Sequence, residues 1–316
     1  MKKPTPPPDA IFRPGPRGVG RYQRASVMVD FMGACGWGQP LLNLGYYRFY
    51  DIHSLITGFN SGQRRLAKFS IALLDLQSSD VVLDAGCGFG WTTSRIASQA
   101  ARAIGLDIAE AHVRAARQTY PASERLEFIL GDATRLWETL EARGFGEASL
   151  DKIHCLESAF HFGFPGREVF LKDAFRLLTP GGRLVLVDFM WRSAQPAEIE
   201  AADPAGIVRQ TWQFESFESM ERYRAMARDC GFAERRLLDW SEPVLQRCQR
   251  IGQGVLWCGQ RPATRWALCA MRSAFRRLTP EDWILLAEVL RAHDEVRRRL
   301  RYIALVLEKP PGAGRR

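Results

Sequence analysis

The sequence lacks the features that mark several classes of protein. None of its seven cysteines forms a C-x-x-C pair or clusters with histidine at the spacing of a zinc site. We therefore expect reduced thiols, no metal and a cytoplasmic location. No run approaches the roughly 18 uncharged apolar residues of a membrane span, and the N-terminus has no apolar core of a secretory signal.

Acidic residues are fewer than basic ones, 35 against 44, which gives a net charge of +9. This balance is compatible with nucleic acid, a membrane surface or an anionic small substrate as partner, and equally with an arginine-rich genome. The 316 residues, 46% of them hydrophobic, can build a sizeable core. The Pro- and Gly-rich residues 1–20 are predicted to form a disordered arm.

Short apolar runs alternate with helical patterns from residue 79 onward, which indicates βαβ units and an α/β fold with a parallel sheet. The predicted strands are 81–86, 103–107, 126–132, 151–157 and 183–189, with a sixth within 232–243 and a seventh at 301–310. The strands up to the fifth belong to a core at 79–192, which is preceded by an N-terminal helical and aromatic lid at 21–78. A helical insertion at 193–300 carries the sixth strand and is expected to cap the substrate. The last strand and a tail follow at 301–316.

A glycine-rich turn follows the first predicted strand. Gly86, Gly88 and Gly90 alternate with other residues, and Trp91 stands where a dinucleotide fingerprint needs its third glycine. No G-K-[ST] follows, so a nucleotide triphosphate loop is excluded. A nucleoside without a diphosphate remains as the ligand of this turn.

Three acids stand at successive strand ends. Asp84 can hold a cationic amine, Asp107 lies at the spacing of an acid that pairs with ribose hydroxyls, and Asp132 is placed to accept from an adenine amine. This order suits a ligand with amino acid, ribose and adenine parts, which is S-adenosylmethionine.

The same blocks resemble those of the class I S-adenosylmethionine-dependent methyltransferases. "LDAGCGFG" is similar to that family's glycine motif, and "GLDIAEAHVRAAR", "GDAT" and "LLTPGGRLVLVDF" follow in the family's order. The resemblance implies a Rossmann-like seven-stranded sheet with helices on both faces. The expected cofactor contacts are Tyr46, Asp84, Gly86, Gly88, Asp107, Ile108, Asp132, Ala133 and Leu156, of which Tyr46 is taken from the resemblance.

The end of the fourth strand bears on the acceptor. It reads "LESAFHF" and has no Asn/Asp-Pro-Pro-aromatic run, so we expect no nucleic acid partner. "LESAFHF" and the upstream "LLNLGYY" resemble the small-molecule branch, which includes natural-product O-methyltransferases, tocopherol methyltransferases, and sterol and prenyl diphosphate C-methyltransferases. The predicted acceptor is a small hydrophobic metabolite, with or without a phosphate.

Two side chains at this strand end are the expected catalytic groups. By resemblance, His161 matches the base of the sugar O-methyltransferases and Glu157 matches the acid of the C-methyltransferases. O-methylation with His161 as base is preferred, with C-methylation of a terpenoid alkene by Glu157 as the alternative. A non-catalytic cofactor-binding protein is the rival from another class, and an oxidoreductase is a more remote one.

Aromatic residues near strand ends and in the lid are expected to enclose the substrate. The predicted contacts are Tyr47, Tyr50, Phe160, Phe189, Trp191 and Trp212. The basic run from Arg297 to Tyr302 fits the end of a helix by its dipole, and it would bind a phosphate if it binds a ligand at all. A homo-oligomer is compatible with the sequence.

Overall fold

The computed structural model describes residues 21–38, 40–48, 59–193 and 198–312. Within them, one sheet contains β1 (Val81–Ala85), β2 (Arg102–Asp107), β3 (Leu126–Leu130), β4 (Leu150–Leu156), β5 (Leu178–Trp191), β6 (Ala233–Asp239) and β7 (Leu300–Glu308). Every predicted strand is present. Most boundaries agree with the apolar runs because a strand buried on both faces reads as a continuous hydrophobic segment. β5 is longer than predicted, since it runs from Leu178 to Trp191 instead of over 183–189.

The strands lie in the order β3-β2-β1-β4-β5-β7-β6. Strands β1 to β5 are parallel, and β7 is inserted antiparallel between β5 and β6. The strand order reverses between β1 and β4, and open α/β sheets bind ligands beyond the carboxyl ends of the strands at such a point. The predicted Rossmann-like seven-stranded fold is confirmed, and the topology places its ligand crevice.

Helices cover both faces of the sheet and its carboxyl edge. In the described residues they are α1 (Arg21–Ala34), α2 (Asn60–Ala72), α3 (Trp91–Ala97), α4 (Glu110–Thr119), α5 (Leu136–Glu141), α6 (Gly163–Leu177), α7 (Glu198–Ala202), α8 (Ile207–Trp212), α9 (Met220–Asp229), α10 (Arg247–Gly259), α11 (Pro262–Met271) and α12 (Pro280–Arg299). None of them is long and apolar enough to cross a membrane.

The two faces of the sheet bury alternate residues of the same strands. Val185 and Val187 of β5 share a core with Leu66 of α2, whereas Leu184 and Leu186 share the opposite core with residues of α6. Since both faces are covered, the central strands are rigid, and their carboxyl ends hold side chains in fixed positions.

A third core joins the N-terminal lid to the helical insertion. Phe31 of α1 packs edge to face on Trp283 of α12, with Val289 in the same cluster. A Cβ on Gly259 of α10 would lie 2.1 Å from the Trp283 ring, so that position requires glycine. Helix α1 therefore belongs to the insertion's helical layer, while α2 packs on the sheet. The domain boundaries themselves remain predictions.

Candidate active site

A cavity of about 2350 Å³ lies between the carboxyl edge of the sheet and this helical layer. Ordinary ligand pockets have volumes of about 300–1000 Å³, so this one has room for a nucleoside cofactor and a second molecule. The ends of β1, β2 and β4 and the turns that follow β3 and β4 form one wall, and α1, α8, α10 and α12 contribute to the other.

The glycine turn gives the cavity bare backbone. Gly86, Gly88 and Gly90 have φ values of 79°, 53° and 83°, in the left-handed region that glycine adopts without strain. A Cβ on Gly86 would lie 2.1 Å from Ser158 Oγ, and one on Gly90 would lie 2.7 Å from the Phe128 ring. Gly88, by contrast, meets no atom nearer than 3.7 Å, so its backbone is open to a ligand.

Asp84, at the end of β1, is fixed by a buried polar chain. Its Oδ1 lies 2.8 Å from His154 Nδ1 on β4, and its Oδ2 accepts from the Thr93 hydroxyl at 2.7 Å. His154 Nε2 lies 2.9 Å from Ser70 Oγ on α2. Asp84 also borders the cavity, and three other elements set the orientation of its carboxylate.

Asp107, at the end of β2, is held by the glycine turn itself. Its Oδ2 accepts from the Gly88 N–H at 2.8 Å, and its Oδ1 accepts from the Ala109 N–H at 2.9 Å. The His112 ring approaches Oδ1 at 3.3 Å. Asp107, expected to bind the cofactor's ribose, is thus hydrogen-bonded to the glycine turn, which is expected to bind the cofactor's amino acid part.

Asp132, after β3, is arranged differently. Its Oδ1 accepts hydrogen bonds from both the N–H and the hydroxyl of Thr134. Its Oδ2 accepts no hydrogen bond from the described residues. Beside it, Ala133 lines the cavity and Ile108 is 59% exposed toward open space. An open acceptor next to an exposed apolar surface fits an adenine ring with its amine.

The residues present therefore fit S-adenosylmethionine. Of the nine predicted cofactor contacts, seven are the acids, glycines and flanking residues just described, and all seven border the cavity. The eighth, Leu156, also borders it. Tyr46 is placed elsewhere: its ring packs edge to face on Phe69 and Trp240, and it is absent from the described lining of the cavity. Its assignment as a cofactor contact is not supported by this geometry.

Glu157 stands directly after β4 with a φ of 47°, an uncommon conformation for a residue with a side chain. Both carboxyl oxygens accept from the Leu44 N–H, at 3.0 and 3.1 Å, and Oε1 also accepts from the Tyr302 hydroxyl at 2.6 Å. Burial raises the pKa of Glu157 to about 8, although the two donors act against this change. The group is thus largely protonated near neutral pH.

His161 follows Glu157 in the chain and ends the short helix Ala159–His161. Its ring borders the cavity and packs on Phe160, and its Nδ1 lies 3.3 Å from the Gln213 carbonyl. The side chain is accessible from inside the cavity but surrounded by protein, and this desolvation lowers the pKa of His161 to about 4. The imidazole is neutral at pH 7 and in the form that accepts a proton.

Aromatic rings form one side of the cavity around these two groups. Phe160 packs against Phe189, Phe214 and Phe217, and all four line the cavity. Trp212 also lines it, with its indole N–H donating to His293 Nε2 at 2.9 Å. The predictions for Phe160, Phe189 and Trp212 are consistent with this placement.

Two other predicted aromatic contacts lie away from the described cavity lining. Tyr47 is buried against Gly62 and Phe59, and its hydroxyl donates to the Leu44 carbonyl. Trp191 is buried and stacks on Phe217, behind the rings that face the cavity. Both serve as core in this arrangement. Tyr50 lies outside the described residues.

Arg167 and Asp188 were missed by the sequence analysis, although they fix the tail of β4. The buried guanidinium of Arg167 donates to the carbonyls of Ala159, Phe160 and Ser216. Asp188 accepts from the Phe160 N–H at 2.8 Å, and burial raises its pKa to about 7. A signal for Asp188 was its place at the end of an apolar strand, but nothing local distinguishes Arg167 from a surface arginine.

The basic run before β7 is mostly engaged in ion pairs. Arg297 borders the cavity, yet its guanidinium lies 2.6 Å from Asp294, and Arg298 shares the same carboxylate at 2.9 Å. Among the described residues that line the cavity, Arg297 is the one lysine or arginine, whereas eight are Asp or Glu. The arrangement favours the helix-end interpretation of this run over phosphate binding.

Comparisons with known proteins agree with this geometry. Residues 82–182 match a family model described as a methyltransferase domain. The 27-O-demethylrifamycin SV methyltransferase of Amycolatopsis mediterranei is 30% identical over 227 residues, which cover 70% of this chain and 75% of that protein. The erythromycin 3''-O-methyltransferase of Saccharopolyspora erythraea is 28% identical over 207 residues, 61% of this chain and 62% of that protein.

Among solved structures, the cyclopropane synthase MmaA2 from Mycobacterium tuberculosis has the same fold. It aligns with a TM-score of 0.64 at 17% identity and covers 90% of this chain and 96% of its own. The sequence relatives place the chain among the class I S-adenosylmethionine-dependent methyltransferases: it is an enzyme that uses S-adenosylmethionine to methylate a small molecule.

Proposed function

We propose that the enzyme methylates a hydroxyl group of an apolar metabolite, with His161 as the base. The observation that carries this proposal is a neutral imidazole on the cavity wall, at the strand end where the acceptor of an α/β enzyme lies. S-adenosylmethionine supplies an electrophilic methyl group when bound. His161 takes the hydroxyl proton during attack, and the phenylalanine cluster excludes water from the reacting centre.

The shape of the cavity supports an extended acceptor. Glu281, near the start of α12, and Arg297, near its end, border the same cavity. At 1.5 Å per residue these positions are about 24 Å apart along the helix axis. Apolar residues of α1 line the cavity as well, among them Val27, Met28 and Phe31. An acceptor with a long apolar part would fill this space beyond the cofactor.

Charge supports a neutral or cationic acceptor. Among the described residues of the cavity wall, acidic side chains outnumber the one arginine, which is itself paired, so a free phosphate or diphosphate would be repelled there. This favours an apolar hydroxyl compound over a prenyl diphosphate.

C-methylation of an alkene remains a second candidate because of Glu157. Glu157 and the phenylalanine rings line the same cavity, where a carbocation formed by methyl transfer could be stabilised by cation–π attraction and then lose a proton to the carboxylate. Such a step needs Glu157 ionised, whereas burial keeps it largely protonated near neutral pH.

A labelled-methyl assay separates the two. The enzyme is incubated with S-adenosylmethionine carrying a ¹³C methyl group and a panel of apolar alcohols, phenols and alkenes, and the product is classified by its carbon chemical shift. We expect an O-methyl product that His161→Ala reduces at least 100-fold and Glu157→Gln reduces far less. A C-methyl product with the opposite sensitivity would contradict the proposal.

A further inference from the structure

The helical cap carries an unusual concentration of positive charge. Between residues 243 and 280 the chain has seven arginines and no aspartate, glutamate or lysine, whereas the whole chain has a net charge of +9. This segment alone has a net charge of +7, although Arg247 and Arg250 lie 2.9 and 3.9 Å from Glu242, which directly precedes it. Neither the cofactor site nor the proposed chemistry uses it.

Helix α11 exposes an apolar face within this basic segment. We call it the α11 face; its exposed residues are Pro262, Ala263, Trp266, Ala267, Ala270 and Met271. Positions 263, 266, 267 and 270 follow the i, i+3, i+4, i+7 spacing of one side of a helix. Trp266 is 75% exposed and Met271 47%. A surface helix that presents a tryptophan and no polar side chain on its outer side is suited to burial against a partner.

Arginines flank the helix that carries this face. Arg261 precedes the helix and its guanidinium lies 4.0 Å over the ring of Trp257, which is itself 53% exposed. Arg265 lies on the helix but on the side turned away from this face, whereas the exposed Arg276 and Arg277 follow in the turn Ser273–Arg277, whose Phe275 is buried. Exposed tryptophan bordered by arginine is the composition of a helix that lies in the interface of a bilayer, with its apolar side among the acyl chains.

We propose that the α11 face docks on an anionic lipid surface. Charge complementarity selects this partner: the arginines are attracted to acidic headgroups while Trp266 and Met271 enter the apolar layer. A second copy meeting the same face would oppose one set of arginines to another. Residues 1–20 also carry four basic residues and one acid, so their charge does not complement the face.

The α11 face lies close in the chain to residues that border the cavity, so docking would affect how an acceptor reaches the cavity. Thr279, Glu281 and Asp282, which border the cavity, follow the turn Ser273–Arg277 directly in the chain. Docking would therefore bring this end of the cavity close to the bilayer, where an extended apolar acceptor is concentrated. This last step rests on the proposed function, but membrane binding itself does not.

Vesicle sedimentation with the full chain tests the proposal. One set of vesicles contains equal parts of phosphatidylglycerol and phosphatidylcholine, and the other contains phosphatidylcholine alone. We expect binding to the anionic set that weakens with salt, and little binding to the neutral set. Trp266→Ser should weaken binding roughly tenfold, and Arg276→Gln about fivefold.

Matched controls use the same residue types elsewhere on the surface. Val169→Ser removes an exposed apolar residue of α6, and Arg143→Gln removes an exposed arginine after α5. Neither should change vesicle binding. Equal binding by all variants, or no binding to the anionic vesicles, would overturn the proposal. A dimer in light scattering that Trp266→Ser dissociates would overturn it in favour of a second copy.

The assay uses no acceptor and no cofactor, so its outcome is independent of the methylation chemistry. Trp266→Ser should also retain the wild-type rate on a freely soluble acceptor. If methyl transfer is absent while the vesicle result holds, the proposed function fails and the docking surface stands.

Discussion

The hydroxyl of Tyr302 lies 2.6 Å from Glu157 Oε1, and through this bond the last strand of the sheet holds the acid at the end of β4. The Leu44 N–H reaches the same carboxyl group from the N-terminal segment. Glu157 thus connects three parts of the chain that are more than 100 residues apart. This role does not depend on whether it ever removes a proton.

The first prediction concerns this connection. Tyr302→Phe removes the hydroxyl donor and should lower the free energy of unfolding by about 1–3 kcal/mol, because a buried carboxyl group loses a partner. Urea denaturation of Tyr302→Phe, Glu157→Gln and the double variant forms a thermodynamic cycle. We expect a coupling energy of about 0.5–3 kcal/mol between the two residues. Additive effects would mean that the bond does not stabilise the fold.

The second prediction uses the pKa values of the two candidate bases. The base form of His161 is the unprotonated ring, which exists above a pKa of about 4, and that of Glu157 is the carboxylate, which forms above a pKa of about 8. With His161 as base, kcat/KM should fall toward pH 4 and be level from about pH 6 to 8. A rise in kcat/KM through pH 8 that Glu157→Gln abolishes would assign the proton transfer to Glu157.

The third prediction tests Asp132 as the acceptor for adenine. Its open Oδ2 should accept from the adenine amine, so wild type should bind S-adenosylhomocysteine about tenfold more tightly than S-inosylhomocysteine, in which a carbonyl replaces that amine. Asp132→Asn offers an amide donor instead and should narrow or reverse this preference in calorimetry. Asp107→Asn is the control, since a residue at the ribose should weaken both ligands equally. An unchanged ratio in Asp132→Asn would place the adenine elsewhere.

The fourth prediction concerns the chain Ser70, His154 and Asp84. His154→Phe removes the partner of Asp84 Oδ1 and should lower the free energy of unfolding by about 1–3 kcal/mol. It should also weaken the binding of S-adenosylmethionine. Ser70→Ala removes the far end of the chain and should leave cofactor affinity near wild type. Urea denaturation and calorimetry measure the two effects. Unchanged S-adenosylmethionine affinity in His154→Phe would show that His154 does not position Asp84 for the cofactor.

The local parts of the site could be predicted from the sequence. The strands, the glycine turn and the acids Asp84, Asp107 and Asp132 are each marked by a pattern within a few residues, because a buried strand and the turn after it are determined locally. Glu157 and His161 also follow an apolar run, whereas their roles as bases come from the resemblance and remain predictions.

The remaining contacts depend on distant parts of the chain. Tyr302 reaches Glu157 because β7 is inserted between β5 and β6, and a residue on an apolar last strand carries no sign of that placement. Tyr46 and Tyr47 were expected to contact ligands, Tyr46 by the resemblance and Tyr47 as an aromatic residue of the lid. In the structure Gly62 of α2 leaves space for the Tyr47 ring, and Trp240 packs against Tyr46. Packing against distant residues decided both positions.

The central claim is that the carboxyl edge of this sheet binds S-adenosylmethionine. Isothermal titration calorimetry of the full chain with S-adenosylmethionine and with S-adenosylhomocysteine tests it most directly. The account predicts that both bind at one site per chain and that Asp107→Asn weakens both, since Asp107 holds the Gly88 N–H beside the ligand. Binding of neither compound by the folded wild-type chain would contradict it.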